Sequence, residues 1–468
     1  MPERPDSAKL ELTYHCNLRC GFCYTDSPRR TLERTPEIDD DTWHRIIGEV
    51  IELGVTRATV TGGEALLRRE LALESAERLD AAGIAVILST NGWFIDEVVA
   101  DRLARCRHVE THISIDGPTP ELHEAARGVP GSWRRAVEAV DLLLQRGVPV
   151  RPLHVVTPQN EHAFGKFLEL MWTLGVNVVS VTPVIPIGAA ARSGDWAVSR
   201  LRIHRQVRAF ESRTQGRPRV LVHNGPSARL STRGHAPSGF LVRPNGAFLP
   251  SSNHPFSFGD AASQPLAECW QALRQGWLDG RVRRWVGAIP GTRRLPEMDL
   301  VPYRDEELEI VSPRGVARKR PAAAAGAGSD GASIERALEV LAAKSPPLPE
   351  DGIGDFAAAL ARVRGLAMGR RYRRGSLQHE IKDDADVSRT RPTVRLNRSA
   401  SIVLDACAPG TPADAVDSLA ERYPRVPRDE LEPAVLRAVR RMVDASVLVP
   451  ALAVSEVGAP DESLPVLS

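Results

Sequence analysis

Three cysteines lie within eight residues near the N-terminus, at Cys16, Cys20 and Cys23. Thiolates are ligands for soft metals, and this spacing gathers all three in one loop. A tetrahedral zinc site would need a fourth ligand, which a distant histidine could supply. A cubane iron–sulfur cluster would use the three thiolates for three irons and leave the fourth iron open to a substrate. The spacing predicts such a cluster, with buried thiols or a zinc knuckle as the alternatives.

The composition is that of an ordinary globular protein, with 42% hydrophobic and 26% charged residues. The 61 basic and 59 acidic residues nearly cancel, so no overall field attracts nucleic acid. The chain has no apolar run of about 18 residues and no signal-peptide pattern. We therefore expect a cytoplasmic protein that binds neither nucleic acid nor membranes. Six cysteines are too few for a disulfide scaffold in 468 residues.

The elements that position the cysteines are short β-rich runs that alternate with amphipathic helices over residues 9–183. The six predicted strands are 10–13, 58–61, 85–89, 110–115, 150–156 and 178–182. Six β/α units in series predict a parallel sheet with helices on its outer face, and a partial barrel or a doubly wound sheet would both fit. The cysteines follow the first strand, at the edge where such sheets carry their sites.

Residues beside the cysteines and after the second strand suit one particular ligand, S-adenosylmethionine (SAM). Phe22 could place an aromatic face near adenine. Gly62 and Gly63 lack a Cβ and allow close backbone approach, and the Glu64 carboxylate can accept from a methionine ammonium group. In SAM chemistry the open iron is chelated by the amino and carboxylate groups of methionine. An electron from the cluster then cleaves the sulfonium and yields a 5′-deoxyadenosyl radical.

Four motifs follow one another in order and spacing: CNLRCGFCY, TGGEALL, STNG and SIDGPTPELHEAARG. They resemble the radical SAM superfamily, specifically its peptide-modifying branch, over about residues 9–186. The resemblance implies an α/β fold, a partial (β/α)6 barrel, with one [4Fe–4S] cluster and SAM at its mouth. It also implies that several strand-end residues and arginines face SAM, with turn or helix-surface residues as the alternative. These residues are Thr90, Asn91, Ser114, Asp116, Arg127 and Arg135.

Residues 240–273 resemble the auxiliary-cluster (SPASM or twitch) domain that peptide-modifying relatives append. The shared frame is a strand, a glycine turn, a second strand, Gly-Asp and a tryptophan-bearing helix. Ser251 stands where such domains carry a cysteine, and no cysteine occurs between Cys106 and Cys269. Because serine does not normally hold iron, we expect a degenerate SPASM-like region and one cluster only.

The three remaining cysteines are scattered singly. Cys106 and Cys407 lie in or at the end of apolar helical patterns, which favours core thiols. Cys269 lies in a predicted helix over 266–273 and could act in catalysis by donating a hydrogen atom to a substrate radical. A small core thiol is the alternative for Cys269 as well.

Residues 393–450 resemble the peptide-recognition element (RRE) of ribosomal-peptide pathways, whose best-known member is the PqqD-like peptide chaperone of pyrroloquinoline quinone biosynthesis. The matching features are a strand that ends at 396–397, a helix closed by 409–410 and two further helices before 447–448. A generic winged helix would look similar. The resemblance implies a winged-helix-like α+β domain that binds a leader peptide as an added strand.

The edge for that added strand is predicted between residues 372 and 394, with 375–383 as one strand of a hairpin. An arginine-rich run precedes it and could attract acidic leader residues, although a solvated charge run is the alternative. The run consists of Arg370, Arg371, Arg373 and Arg374.

Together these patterns divide the chain into six parts. They are the radical SAM barrel 1–190, the degenerate SPASM-like region 191–311, a flexible linker 312–332, a helical connector 333–369, the peptide-recognition domain 370–450 and a disordered tail 451–468.

The leading functional prediction is a radical SAM maturase that acts on a ribosomally made precursor peptide. Hydrogen abstraction would lead to a cross-link, a thioether or an epimerised residue, with a reducing flavodoxin or ferredoxin as the electron source. One alternative is a radical SAM enzyme that acts on a small molecule or a folded protein in cofactor biosynthesis. Another is an iron–sulfur DNA-binding regulator, against which the open-iron spacing and the nearly neutral charge weigh.

Overall fold

The computed structural model describes most of the chain. The described residues are 2–184, 187–192, 196, 198–214, 218–222, 237–252, 254–288, 309–312, 315–318, 331–374, 398–408, 410–424, 426–444 and 448–450. The hairpin strand predicted at 375–383 and the tail from 451 lie outside them. Within these ranges, no helix combines the length and the hydropathy needed to cross a bilayer.

A nine-stranded sheet forms the centre of the molecule, with the strand order β7-β6-β5-β4-β3-β2-β1-β8-β9. The strands are β1 (Ser7–Glu11), β2 (Arg57–Thr61), β3 (Ala85–Thr90), β4 (Val109–Ser114), β5 (Val150–Val156), β6 (Val178–Pro183), β7 (Arg219–Val222), β8 (Gly239–Val242) and β9 (Phe248–Leu249). All neighbours pair in parallel except β8 and β9. The predicted α/β class with a parallel sheet is therefore confirmed.

Strand β1 lies inside the sheet, between β2 and β8. The sequence patterns predict six strands, and the sheet also includes β7 at one side and β8 and β9 at the other. These three strands come from beyond residue 190, and β8 pairs with β1 across more than two hundred residues of sequence. A pairing of that range depends on tertiary register, which a local hydrophobic period does not encode.

Helices cover the outer face of the sheet. In chain order they are α1 (Ser27–Leu32), α2 (Asp40–Glu52), α3 (Arg69–Ala81), α4 (Glu97–Ala104), α5 (Pro120–Arg127), α6 (Ser132–Gln145), α7 (Phe164–Thr173) and α8 (Arg200–Thr214). Helix α2 illustrates why: Trp43, Ile46, Ile47 and Val50 form one apolar stripe, and all four are fully buried. Burial of each such side chain contributes about 1.5–3 kcal/mol.

The second half of the chain adds smaller elements. They are α9 (Leu266–Gly276), α10 (Gly280–Ala288), α11 (Gly331–Leu341), α12 (Phe356–Met368), α13 (Arg398–Cys407), α14 (Pro412–Arg422), α15 (Arg428–Asp444), and strands β10 (Phe256–Ser257), β11 (Glu309–Ser312), β12 (Gly315–Arg318), β13 (Tyr372–Arg374) and β14 (Leu448–Pro450). Helices α13 to α15 share a core of their own, which includes Leu404, the fully buried Cys407 and Val435. Strands β13 and β14 pair antiparallel beside it.

The C-terminal helices are anchored to the outer helices of the sheet through two arginines. The Arg370 guanidinium pairs with Asp141 on α6 at 2.6 Å and donates to the Leu174 carbonyl oxygen at 2.7 Å. Arg440 on α15 donates to the Trp172 carbonyl oxygen at 2.6 Å. Arg370 is only 6% exposed, so its predicted availability to acidic leader residues is wrong. Its charge is instead neutralised inside the protein by Asp141.

Candidate active site

The cysteine loop follows β1, and contacts from different elements fix its backbone. Cys16 N–H donates to Thr31 Oγ1 of α1 at 2.8 Å. Arg19 N–H donates to the Arg127 carbonyl oxygen at the end of α5, and Ala189 N–H donates to the Cys23 carbonyl oxygen, both at 2.8 Å. Cys16 and Cys20 are each 8% exposed, and Cys23 is half-buried. The loop is therefore held in one conformation by the ends of several β/α units.

The Gly-Gly-Glu motif after β2 packs directly on this loop. Gly63 N–H donates to the Thr13 carbonyl oxygen at 2.7 Å, and Glu64 N–H donates to the His15 carbonyl oxygen at 2.8 Å. A Cβ on Gly62 would lie 2.7 Å from the Thr13 carbonyl oxygen, and one on Gly63 would overlap that of His15. The close approach predicted from these glycines is thus made to the chain's own cysteine loop.

The Glu64 carboxylate ties the end of β2 to the end of β3. Its Oε1 accepts from Thr90 Oγ1 at 2.7 Å and from Leu66 N–H at 3.0 Å. Its Oε2 accepts from Asn91 N–H at 2.7 Å. The side chain is 1% exposed, and burial raises the pKa of the carboxyl group despite these donors. The ammonium contact expected of Glu64 stays a prediction.

Nitrogen donors point at the sulfur of Cys16. Leu18 N–H lies 3.4 Å from Cys16 Sγ, and Asn91 Nδ2 lies 3.9 Å from the same atom. Asn91 Nδ2 also donates to Asn17 Oδ1 at 2.8 Å, which orients its amide. Hydrogen bonds to sulfur are among the protein's means of setting the potential of an iron–sulfur cluster.

A buried ion pair positions a cation against the second cysteine. Arg127 Nε lies 2.5 Å from Asp116 Oδ2, and Arg127 Nη1 donates to Cys20 Sγ at 3.6 Å. Asp116 is fully buried, and its Oδ1 accepts from Val155 N–H at 2.7 Å. Burial raises the pKa of the Cys20 thiol to about 11, although the Arg127 charge opposes the rise. The sequence prediction places Asp116 and Arg127 near SAM, and the structure brings both to the cysteine loop.

Apolar and aromatic side chains surround the cysteines. We call the buried group the cysteine-loop cluster; its members are Cys16, Leu18, Cys20, Phe22, Val129 and Ala190. Trp93 and Trp196 pack against this cluster, and the rings of Phe22 and Trp196 meet edge to face with centroids 6.1 Å apart. The guanidinium of Arg135, an exposed residue of α6, lies 5.8 Å from the Trp93 ring centroid. Arg135 thus borders the site through Trp93.

Sequence reasoning missed both tryptophans as site residues. Trp93 directly follows the STNG motif, and that position could have identified it as a site residue. Trp196 lies in a stretch without hydrophobic periodicity, so the sequence pattern does not identify it. Ser114, the last residue of β4, is half-buried at the same edge of the sheet as the cysteine loop.

Cys269 lies elsewhere. It is 1% exposed on α9 and belongs to the main hydrophobic core, not to the cysteine-loop cluster. Its sulfur lies against Gly259, and burial raises the pKa of the thiol to about 12. This environment matches the core-thiol alternative and gives no support to a hydrogen-donor role.

Ser251 is the serine that stands in the cysteine position of the SPASM-like frame, and it contacts a histidine that lies among tryptophan rings. Its Oγ is hydrogen-bonded to His254 Nδ1 at 2.8 Å. The fully buried His254 ring lies 5.5 Å from the Trp277 ring and 5.2 Å from the Trp285 ring, measured between centroids. Burial lowers the pKa of His254 to about 3, so the ring is neutral at physiological pH.

The donor set of the cysteine loop suits an iron–sulfur cluster. Three thiols belong to one loop, and N–H groups of Leu18, Asn91 and Arg127 point at two of their sulfurs. Among the described residues, no three histidine, cysteine, aspartate or glutamate side chains are grouped as ligands of a single metal ion.

Comparison with known proteins identifies the two parts. Residues 10–171 match the family model for the Radical SAM superfamily, and residues 388–448 match that for Coenzyme PQQ synthesis protein D (PqqD). The chain carries a radical SAM domain and a PqqD domain. Both domains predicted from the motifs are thereby confirmed. A radical SAM domain implies a [4Fe–4S] cluster and SAM, and the cysteine loop of this one provides the matching thiols.

The curated relatives match less than half of the chain. An AdoMet-dependent heme synthase from Oleidesulfovibrio alaskensis is 30% identical over 189 residues, or 40% of this chain and 48% of that protein. The mycofactocin maturase MftC from Mycolicibacterium smegmatis is 33% identical over 190 residues, or 40% and 47%. The chain spans about half the length of the curated relatives it matches.

Solved structures resemble the chain more loosely. Streptococcus suis SuiB bound to precursor peptide SuiA has a TM-score of 0.49 and 14% identity, covering 61% of this chain and 67% of that one.

Proposed function

We propose that this protein is a radical SAM maturase that modifies a ribosomally synthesised precursor peptide. The observation that carries the proposal is the presence, in one chain, of a radical SAM domain and a PqqD domain. The chain's relatives include a maturase and a peptide cyclase: MftC and, at 28% identity, the PqqA peptide cyclase of Granulibacter bethesdensis. A peptide reader fused to the catalyst raises the local concentration of the substrate at the site.

The residues in and around the cysteine loop would have distinct roles in this reaction. Cys16, Cys20 and Cys23 would hold the [4Fe–4S] cluster. With SAM bound, the cluster would supply a 5′-deoxyadenosyl radical for hydrogen abstraction. Arg127 holds a positive charge against Cys20, and Asp116 keeps that guanidinium in place. Asn91 and Leu18 direct N–H groups at Cys16, while the aromatic residues Phe22, Trp93 and Trp196 limit the access of water.

A single cluster is part of the proposal. Ser251 and His254 bond to each other, and Trp277 and Trp285 fill the space around the histidine. A cluster at Ser251 would need several thiolate ligands, and Cys269 is the one cysteine of the sequence between Cys106 and Cys407. The hydrogen-bonded pair supports the view that this region is packed as ordinary protein interior. A reducing flavodoxin or ferredoxin would deliver the electron to the one remaining cluster.

The PqqD domain would bind the leader of the precursor peptide. Leader recognition by an added strand needs an exposed sheet edge beside a helix, and β13 and β14 form a sheet beside α13 and α15. The strand predicted at 375–383 directly follows β13. Within the predicted arginine run, Arg371 is exposed next to β13, unlike Arg370, and could meet an acidic leader residue.

A second candidate function rests on the heme synthase relatives, which match this chain at about the same identity as the maturases. In that function the enzyme would act on a small molecule in cofactor biosynthesis. The PqqD domain would then bind no leader peptide, and this difference separates the two candidates.

The test combines binding with chemistry. Anaerobically reconstituted protein is mixed with SAM, dithionite and the peptide encoded beside its gene, and the products are analysed by mass spectrometry and for 5′-deoxyadenosine. We expect a modified peptide, with a loss of two hydrogens for a cross-link or solvent deuterium uptake for epimerisation. A truncation before Tyr372 should lose leader binding in calorimetry and peptide modification, yet still cleave SAM. Full modification by the truncated protein would refute the leader-reading role.

A further inference from the structure

The segment between the two domains crosses the edge of the sheet that carries the cysteine loop. Helix α11 packs against the 3-10 turn Ala65–Arg68, which follows β2, and against α1. Further along, Thr119 Oγ1, after β4, donates to the Ile353 carbonyl oxygen, and His162 Nε2, after β5, donates to that of Gly352 at 3.0 Å. Residues 331–354 therefore run over the carboxyl ends of β2 to β5, where a radical SAM domain opens.

The cysteine loop itself holds the C-terminal end of α11. Arg19, between Cys16 and Cys20, donates from Nη1 to the Leu341 carbonyl oxygen at 2.5 Å and from Nη2 to that of Ala343. The same guanidinium donates to the Gly128 carbonyl oxygen at 2.9 Å. A cation at the C-terminus of a helix meets carbonyl groups that have no partner within the helix, which is a stabilising arrangement.

Two other contacts hold the rest of α11. Glu335 pairs with Arg34 at 2.5 Å, just after α1. The Arg336 guanidinium lies 5.9 Å from the Phe94 ring centroid, after β3. Glu335 and Arg336 are both exposed, so each contact contributes only a small stabilisation. The helix is thus held at several points by contacts that are individually weak.

Val340 extends from α11 to the cysteine-loop cluster. Ile334, Ala337 and Leu341 form the buried stripe of the helix, whereas Val340 is half-buried and packs against that cluster. Further partly buried apolar side chains pack against the same cluster; they are Trp93, Ala126, Val155, Val184 and Trp196, beside Cys23. Beside the cysteines, then, a side chain from the segment that leads to the PqqD domain meets apolar side chains of the radical SAM domain, while Asn91 and Arg127 approach the sulfurs of Cys16 and Cys20.

We propose that a reaction chamber lies between the cysteine-loop cluster and α11, that α11 roofs it, and that Val340 is a specificity-determining residue for the peptide segment that enters it. The inference rests on the proposed function and names the substrate class of the same site: a peptide whose reacting residue is presented with an apolar side chain. Such a side chain would lie between Val340 and the apolar residues around the cysteine loop. The size of residue 340 then limits which peptide side chains come near the cluster.

The roof is tested first without a peptide, by the access of a bulky chelator to the cluster. Iron loss from reconstituted holoprotein to bathophenanthroline disulfonate is followed by absorbance. Glu335→Arg places two like charges together beside Arg34, and we expect iron loss about fivefold faster than in the wild type. Glu339→Arg is the matched control, because Glu339 is exposed on the same helix. The double variant Arg34→Glu/Glu335→Arg should return to the wild-type rate.

Equal rates for the wild type, the Glu335→Arg variant and the control would overturn the roof. A faster rate in the control as well would also overturn it, because the effect would then be one of net charge. The measurement reports the covering of the cluster and does not depend on any peptide reaction.

The role of Val340 is tested with the precursor peptide encoded beside the gene. We expect Val340→Trp to lower kcat/KM for peptide modification at least about tenfold, because the larger ring fills the chamber. Val340→Ala should accept a precursor in which the reacting residue is replaced by a larger apolar one. Glu339→Ala is the control, and thermal unfolding verifies that each variant is folded. Cleavage of SAM without peptide is measured in parallel, and it should stay within about twofold of the wild type for the Glu339→Ala control.

The possible failures are distinguishable. If the wild type cleaves SAM but modifies no peptide, the proposed function fails. The chelator result alone then shows whether α11 covers the cluster. If the wild type modifies the peptide and both Val340 variants show its rate and its substrate preference, the specificity role of Val340 is refuted while the proposed function stands.

Discussion

The guanidinium of Arg127 donates to the sulfur of Cys20 across 3.6 Å. The same guanidinium is paired with the fully buried carboxylate of Asp116 at 2.5 Å, so an ion pair from β4 and α5 reaches a predicted cluster ligand. Buried pairs of this kind are costly to break one partner at a time, because the remaining charge has no solvent. The relationship links the stability of the domain to the environment of the cluster.

Replacing Arg127 by Gln should destabilise the protein by about 3–5 kcal/mol, because Asp116 would be left buried without its cation. Asp116→Asn/Arg127→Gln removes both charges and should lose clearly less than the sum of the two single variants. Urea unfolding gives the free energy of unfolding for the wild type, the two single variants and the double variant. In the reconstituted single variant Arg127→Gln, the reduction potential of the cluster should become more negative. Strict additivity of the unfolding free energies would show that the pair is not coupled.

Replacing Cys16, Cys20 and Cys23 together by Ala should abolish the brown chromophore of the anaerobically reconstituted protein. Iron and sulfide in the wild type should approach about four each per chain, as one [4Fe–4S] cluster requires. Cys106→Ala, Cys269→Ala and Cys407→Ala serve as controls and should keep the full iron content. A value of about eight irons per chain would contradict the single-cluster proposal.

Gly63→Ala should disturb the cysteine loop, because its Cβ would overlap the His15 carbonyl oxygen. We expect a loss of about 1–3 kcal/mol in stability and a lower yield of reconstituted cluster. Gly365→Ala is the matched control: Gly365 lies within α12, and a Cβ there would meet no atom within 4 Å. That control should be neutral or stabilised by up to about 1 kcal/mol. Equal behaviour of the two variants would mean that the loop shifts freely.

His254 should make stability depend on pH. Burial lowers its pKa to about 3 in the folded chain, against 6.5 for the ordinary group, so below pH 6.5 the unfolded chain binds a proton that the folded chain does not. The contribution of the neutral His254 ring to the free energy of unfolding is therefore complete above pH 6.5 and is lost as the pH falls. Between pH 7.5 and pH 5 this loss amounts to about 2 kcal/mol.

His254→Phe keeps an aromatic ring between the tryptophans and should remove that part of the pH dependence. Urea unfolding at the two pH values is best compared in the background without Cys16, Cys20 and Cys23, so that acid release of iron does not interfere. His108→Asn, at an exposed position, should keep the wild-type difference. A His254→Phe protein with the wild-type pH difference would show that the ring is not the source.

Local signals predicted the cysteine loop and the parallel strands around it. Cysteine spacing and short β/α periods are local, and Cys16, Cys20 and β5 lie where these patterns place them. The contacts of the glycines and of Arg370 depend on which surface packs against them. Gly63 meets the cysteine loop and Arg370 meets Asp141, and no period in the sequence encodes either partner.

The remaining site residues come from distant segments. Trp196 and Val340 reach the cysteine-loop cluster from far along the chain, and β8 joins the sheet beside β1 in the same way. Their places follow from tertiary packing, in which one apolar residue in a helical period looks like any other. Only the assembled fold distinguishes Val340 from the other apolar residues of α11.

If the PqqD domain binds the leader as proposed, its anchoring would set a minimum spacing along the bound peptide. Arg370 and Arg440 attach this domain near Leu174 and Trp172, at the far end of α7 from the cysteine loop. Helix α7 has 10 residues and spans about 15 Å. An extended chain would need about five residues to cover that length. Peptide residues close to the bound segment would then not reach the cysteine loop, whereas residues farther along the peptide would.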